Sequence, residues 1–221
     1  RIAQSPSAKR DESRLMVLRR ETQSIEHKTF RDLKDIIPSG DALALNTTKV
    51  FRARLLGTRD SGAPAELLLL KRTGDDCYEA MVHPGGKLKV GRKIHIGTDF
   101  DAEILETTDR RTRIVRLHSA LPTEEAIATF GHVPLPPYIN RTDESADAER
   151  YQTVYANASG SVAAPTAGLH FTPELLDALA MKGVARADLV LHVGAGTFKP
   201  VEVDDPADHL MHEESFWISG E

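Results

Sequence analysis

The sequence predicts an α/β main domain, a mixed sheet flanked by helices, with a small all-β barrel domain inserted into it. Three observations carry this. Between Phe51 and His118, six short strand patterns follow one another, separated by turn signals. The segments on both sides read as strand–helix units. The stretch Gly160–Gly183 holds a helix with both ends marked, and a strand pattern over Ala187–Val193 follows at once. Closure of the six strands would remove exposed edges, which favours a barrel. The expected division is a discontinuous α/β domain of residues 1–50 and 120–221, with a six-stranded barrel over 51–119.

At 221 residues the chain can bury a sizeable core in one or two domains. Its 40% hydrophobic and 28% charged residues are those of a soluble globular protein. The opening R-I-A-Q-S-P has no apolar signal core and no run reaches membrane-spanning length, so a cytoplasmic protein without a membrane partner is expected. The single Cys77 excludes an internal disulfide and a cysteine-cluster metal site. A net charge of −5 excludes a general polyanion binder. Positive charge is still clustered at Lys49, Arg52 and Arg54, at Lys87, Lys89, Arg92 and Lys93, and at Arg110, Arg111, Arg113 and Arg116. Alternating basic residues share a strand face that could track a phosphate backbone; the composition alone favours a solvated face balanced by acids.

In chain order, Arg10, Asp11 and Arg14 precede Leu15–Leu18, a short buried-strand pattern. Arg10 and Arg14 either pair with Asp11 and Glu12 or hold a phosphate or carboxylate in bidentate fashion. A helix over about Phe30–Ile37 stops at Pro38-Ser39-Gly40. The apolar strand Ala42–Leu45 ends in Asn46-Thr47-Thr48-Lys49, a polar cluster at a strand's C-terminal end, where α/β folds place ligands. The barrel strands are expected at Phe51–Leu56, Ala65–Arg72, Cys77–His83, Lys93–Ile96, Phe100–Glu106 and Thr112–His118. His83, His95 and His118 within this region are assigned no chemistry.

Pro122–Gly131 reads as a short returning helix. In His132–Ile139, Pro134, Pro136 and Pro137 stiffen an extended segment that is either a rigid linker or a pocket wall bearing Tyr138. A helix over Ala146–Ala156 follows, with Tyr151, Val154 and Tyr155 as its core stripe and Arg150, Gln152 and Thr153 left for other work. In the next helix Thr172 is a good N-cap, Pro173 fits the first position, Leu175, Leu176 and Leu179 form one apolar stripe, and Gly183 is a left-handed stop.

Ahead of that helix lies a run of small residues, Ser161, Ala163, Ala164, Thr166, Ala167 and Gly168, with Pro165 in its middle. Small side chains let another body approach the backbone. With His170 and Phe171 they read either as a pocket floor or as a tight turn with a core Phe and a structural His. Val193-Gly194-Ala195-Gly196-Thr197 also allows close backbone approach, but the Phe198-Lys199-Pro200 that follows cannot open the helix a dinucleotide fingerprint requires. His209, His212 and Glu214 are a weak metal pattern, not a closed site.

The wording of several stretches resembles the S-adenosylmethionine:tRNA ribosyltransferase-isomerases of queuosine biosynthesis. These are Arg10–Leu18, Gly131–Ile139, Arg150–Ala156, Gly160–Thr172, Leu191–Val201 and His209–Glu214, in order along the whole chain. Members of that family continue well beyond the equivalent of Glu221, so the resemblance implies a member without its C-terminal portion.

The resemblance implies a monomeric, cytoplasmic transferase-isomerase with the same two-domain plan, in which the α/β domain is catalytic. S-adenosylmethionine is then a ribosyl-donating substrate, with no bound cofactor. Its ribosyl unit passes to a 7-aminomethyl-7-deazaguanine base at the tRNA wobble position, giving epoxyqueuosine with adenine and methionine released. The sulfonium acidifies the neighbouring carbon, adenine needs an acid to leave, and near-neutral pKa values favour histidine for both tasks. On that basis His170 and His212 are the acid–base candidates, with Glu214 assisting. Phe171, Tyr138 and Phe198 are stacking candidates. The loop containing Ala164, Pro165, Thr166 and Gly168 and the turn Gly194–Thr197, with Gly196, would embrace the nucleoside. Arg10, Arg14, Lys49 and Arg150 would take the methionine carboxylate or tRNA phosphate, and Asn46 and His192 complete the binding set; His192 is alternatively a hydrogen-bonding residue within a strand. The competing readings are a non-catalytic RNA-binding barrel protein and a histidine-based metal hydrolase.

Overall fold

The computed structural model describes residues 2–198, 201, 203–209, 211 and 213–219. The chain opens with a hairpin, β1 (Arg14–Arg19) and β2 (Ser24–Thr29), followed by a 3-10 turn at Phe30–Asp32 and helix α1 (Leu33–Ile36). Thr29 and Asp32 start that helix: the Asp32 carboxylate accepts from both the Thr29 backbone N–H and its hydroxyl. Strands β3 (Ala42–Asn46) and β4 (Thr48–Val50) lead into the barrel strands β5 (Arg54–Arg59), β6 (Pro64–Gly74), β7 (Cys77–His83), β8 (Lys93–Gly97), β9 (Phe100–Thr107) and β10 (Arg113–Ser119). Then come α2 (Thr123–Phe130), α3 (Asp147–Arg150), β11 (Ala158–Ser161), α4 (Pro173–Met181), β12 (Ala185–His192) and β13 (Ser215–Ile218).

The six barrel strands close in the order β10-β7-β6-β5-β8-β9. Alternation decides what they bury: along β6, Ala65, Leu67 and Leu69 point inward while their neighbours do not. They meet Leu55, Ile94, Phe100, Ile104 and Val115, all fully buried. Helix α2 plugs this core with Ala126 and Ile127, and its Phe130 ring lies 5.4 Å from Phe100. Two of the basic residues that suggested a phosphate-tracking face have internal partners instead. Arg113 is buried and donates to the carbonyls of Gly85, Leu88, Arg111 and Thr112. Arg54 grips the Glu66 carboxylate through two bonds of 2.8 and 2.9 Å.

Outside the barrel the sheets are small. β12 pairs in parallel with β3 and antiparallel with β13, and β4 pairs in parallel with β11. The fold is therefore a closed antiparallel barrel beside small mixed sheets and few helices. Helix α4 has the expected ends: the Thr172 hydroxyl accepts from Leu175 N–H at 3.2 Å, and Gly183 has a φ of +87°. Its Leu175 and Leu179 bury against Phe171, Val184 and Phe30.

Two expectations differ from the structure. Leu15–Leu18 is not a buried strand; Met16 and Leu18 are exposed on the β1–β2 hairpin. The helix expected over Ala146–Ala156 is only the four residues of α3. Partners distant in sequence stop it. Arg10 takes the carbonyls of Glu149, Arg150 and Leu169, and the Gln152 amide pairs with both backbone groups of Val50. Asp147, at the start of α3, is buried against Arg141 at 2.6 and 2.8 Å, which holds its carboxyl below the usual carboxylate range.

The barrel wall predicts a measurable cost. Leu67→Ala, at a fully buried position, is expected to lower unfolding free energy by about 3 kcal/mol in urea titration. Gly131→Ala is expected to cost about 2 kcal/mol, because an added Cβ would stand 2.2 Å from the Arg52 carbonyl and 2.4 Å from that of Ile127.

Candidate functional site

A cleft of about 850 Å³ runs between the barrel and the small sheets. One wall is Lys71, Arg72 and Tyr78 from the barrel with Glu124, Ile127 and Ala128 from α2. The other is Lys49 and Val50 of β4, Ser159 and Gly160 of β11, and His192 at the end of β12. Val193, Gly194, Glu214, Ser215 and Trp217 close one end.

Two short polar side chains and one backbone bond hold the second wall in register. The Asn46 amide oxygen accepts from Thr48 N–H at 3.1 Å and from Leu191 N–H at 2.9 Å, and its nitrogen donates to the Leu191 carbonyl at 2.9 Å. Ser161 is fully buried; its hydroxyl accepts from Val193 N–H at 2.8 Å and donates to the Ala163 carbonyl at 2.8 Å. Val162 N–H donates to the Val193 carbonyl at 2.9 Å. β3, β4, β11 and β12 therefore meet in one seam, and the seam fixes where β12 delivers its last residue.

That residue is His192. Its Nδ1 lies 2.7 Å from the hydroxyl of Thr48, which is fully buried. Its Nε2 edge rests against Gly160, where an added Cβ would come within 2.7 Å of Nε2. Gly160 has a φ of +149°, a backbone state that L side chains rarely adopt. The Trp217 ring meets the imidazole edge-on at 5.2 Å. Burial pushes the His192 pKa below its ordinary 6.5, so the ring is neutral at pH 7. Close by, Glu214 accepts from Gly194 N–H at 2.8 Å. An imidazole, a carboxylate and an indole thus share one end of the cleft. That combination suits a cationic, partly apolar guest. Tyr151 is not a proton carrier at neutral pH, because burial pushes its phenol up to about 12.

Of the residues singled out from the sequence, Lys49, His192, Gly194 and Glu214 line the cleft. Asn46 lies behind its wall with its amide engaged. Gly196 and Thr197 follow in the 3-10 turn Ala195–Phe198, and Thr197 is exposed. The small-residue run is not brought to the cleft. Ala164 packs with Val50, Val133 and Tyr151. Gly168 is filled by a neighbour, since a Cβ there would meet the Tyr155 hydroxyl at 2.2 Å. Phe171 is buried, Pro165 is half-buried and Thr166 is exposed. His170 lies 5.2 Å from the Phe30 ring, on the α4 side of the molecule. Arg10 and Arg150 bond to carbonyls, the latter to Ser7 at 2.7 Å, and Arg14 is exposed on β1. Tyr138 is half exposed, with its carbonyl accepting from Gln4. His212 lies outside the described residues, and the Phe198 side chain is likewise outside them.

Gly160 and Trp217 were given no site role by sequence reasoning; Thr48 entered only within the polar cluster Asn46–Lys49 and Gln152 only as a residue left for other work. Gly160 carries no signal without register. Trp217 did carry one, as the single tryptophan of the chain.

A family model described as "Queuosine biosynthesis protein" matches residues 1–221. The S-adenosylmethionine:tRNA ribosyltransferase-isomerase of Heliobacterium modesticaldum is 49% identical over 222 residues, covering 100% of this chain and 64% of the relative. The protein of the same name from Clostridioides difficile is 49% identical over 223 residues, with the same coverage. The chain thus spans about 64% of the length of these curated relatives. A crystal structure of an S-adenosylmethionine tRNA ribosyltransferase from Thermotoga maritima is 36% identical, covering 87% of this chain and 55% of that one, with a TM-score of 0.34.

The buried imidazole makes a pH prediction. With its folded pKa below 6.5, His192 is neutral in both folded and unfolded states above that value and contributes no slope there. As pH falls below about 6.5 the unfolded chain takes the proton first, so stability falls. His192→Gln is expected to flatten the dependence of thermal midpoint on pH between about 6.5 and 5; an unchanged slope would assign it to other groups.

Proposed function

The chain belongs to the queuosine biosynthesis protein family, and from that premise we propose that it is the nucleoside-binding part of an S-adenosylmethionine:tRNA ribosyltransferase-isomerase. Its substrates are S-adenosylmethionine and a tRNA bearing 7-aminomethyl-7-deazaguanine at the wobble position. Its products are epoxyqueuosine-tRNA, adenine and methionine. The reading rests on the names of relatives at 49% identity over the whole chain and, in the structure, on one observation. A cleft of about 850 Å³ has an indole, a carboxylate and a neutral imidazole at one end and exposed cations beside its length.

That asymmetry supports one orientation of the guest. The sulfonium lies between Trp217 and Glu214, where a π-face and a carboxylate both stabilise positive charge. Lys49 on β4, Arg52 in the link to β5 and Lys71 on β6 border the cleft and suit the tRNA phosphate or the methionine carboxylate. Gly194 leaves main chain open beside the ribose. We propose residues 51–119 as an inserted barrel module and residues 1–50 with 120–221 as the discontinuous catalytic unit; the closed barrel of Arg54–Ser119 supports that division. A monomeric, cytoplasmic enzyme fits this reading. No helix among the described residues is long and apolar enough to cross a membrane.

The acid that meets departing adenine is proposed to be His212, since His170 packs beside Phe30 and does not line the cleft; alanine substitutions at both test this. The residue that serves is expected to lose at least about 100-fold in adenine release, while the other stays within a few fold; no loss in either removes both from the mechanism. Trp217→Ala and Glu214→Gln are each expected to weaken S-adenosylmethionine binding about tenfold by calorimetry. Equal affinity in both variants and wild type would move the sulfonium elsewhere. Tight tRNA binding with a steep salt dependence but no adenine release would favour a non-catalytic RNA-binding role instead.

A further inference from the structure

We propose that Thr48 and His192 form a positioned proton-acceptor dyad, with His192 Nε2 as the base that removes a proton from the carbon next to the sulfonium and Thr48 as its positioning residue. This rests on the function proposed above and deepens it.

The geometry carries the assignment. His192 stands at the cleft end of β12, and its backbone is fixed there through the Asn46 and Ser161 bonds to Leu191 and Val193. Its Nδ1 is 2.7 Å from Thr48 Oγ1, and that hydroxyl reaches the Ala158 carbonyl at 3.5 Å. When Thr48 donates to Ala158, it accepts from Nδ1–H. The proton then sits on Nδ1 and the lone pair on Nε2, whose edge lies against Gly160, in a residue that lines the cleft. Gly160 matters for the same reason, because any Cβ at that position would displace Nε2. The charged groups around the same cleft end are Lys49 and Arg52 on the β4 side and Glu213 and Glu214 ahead of β13.

The chemistry balances without another reagent. The C–H bond beside the sulfonium breaks as the Nε2–H bond forms. The electron pair stays on carbon, held by the adjacent sulfur cation, and the imidazolium formed shares the cleft with the carboxylate of Glu214. A neutral imidazole is the state this step needs, and burial keeps it neutral at pH 7.

The test has two arms. In histidine-labelled chain, nitrogen-detected NMR is expected to show His192 as the Nδ1–H tautomer in wild type and in Thr48→Ser. In Thr48→Val, which keeps the shape but loses the hydroxyl, the ordinary Nε2–H tautomer is expected to return. An Nε2–H tautomer in wild type would overturn the dyad whatever the protein catalyses. In the second arm, adenine release is followed for this chain and for the full-length Heliobacterium modesticaldum relative with matching substitutions. His192→Gln is expected to lower kcat by at least about 100-fold with KM little changed. Thr48→Val is expected to lower it about tenfold and shift the acidic limb of the pH profile, with Thr48→Ser restoring both. Wild-type kcat in His192→Gln would overturn this inference and leave the proposed function standing. No adenine release from either wild-type protein would overturn the proposed function and this role with it.

Discussion

The side-chain amide of Asn46 is the bond on which the rest of the cleft depends. It sits where β3 hands over to β4, and it satisfies a backbone group of Thr48 while holding both backbone groups of Leu191. Parallel pairing of β3 with β12 runs up to Asn46 opposite Leu189. Beyond that point the β3 ladder ends after the bond from Thr47 N–H to the Leu189 carbonyl, while the other edge of β12 stays paired with β13 through His192. The amide replaces the missing ladder bonds, and Ser161 repeats the device one step later at Val193. Buried polar groups that are fully satisfied rigidify their surroundings. Here they bring Thr48 of one strand to His192 of another with little freedom in either.

The barrel contributes a wall rather than a chemical group at this end. It is closed, its core is filled by aliphatic side chains and Phe100, and α2 covers one opening. The junction back to the main unit is narrow: Gly131 passes between the Arg52 and Ile127 carbonyls, and His132 exchanges backbone bonds with Arg54. Such close approach fixes the α2 side of the cleft relative to β4. A guest is therefore bounded by two bodies held at one distance, which suits a substrate that has to be gripped before it reacts.

Much of the fold could be read from residues alone because local signals agreed with global ones. All six barrel strands fall within a few residues of where turn chemistry put them, and α4 carries its Thr172 cap and its Gly183 stop as expected. Failures came where a distant partner overrode local preference. Arg10 and Gln152 cut short the helix expected after Ala146 by taking or redirecting its backbone. The same limit applied to the site. Small residues at Ala163–Gly168 promised space, yet Tyr155, Val50 and Val133 occupy it. The opening lies earlier, at Ser159 and Gly160, because β11 rather than the loop faces the cleft. Charge reading failed likewise for Arg113, whose partners are all carbonyls that no pattern reveals. Lys49, His192, Gly194 and Glu214, all named from the sequence, do line the cleft.

In the function proposed, a sulfonium nucleoside lies in the cleft between barrel and seam, against His192, Trp217 and Glu214. A crystal structure of the chain with S-adenosylmethionine tests it most directly. Density for the sulfur is expected between the Trp217 ring and the Glu214 carboxylate, with the ribose beside Gly194. Density instead beside His170 and Phe30, with the cleft empty, would contradict it.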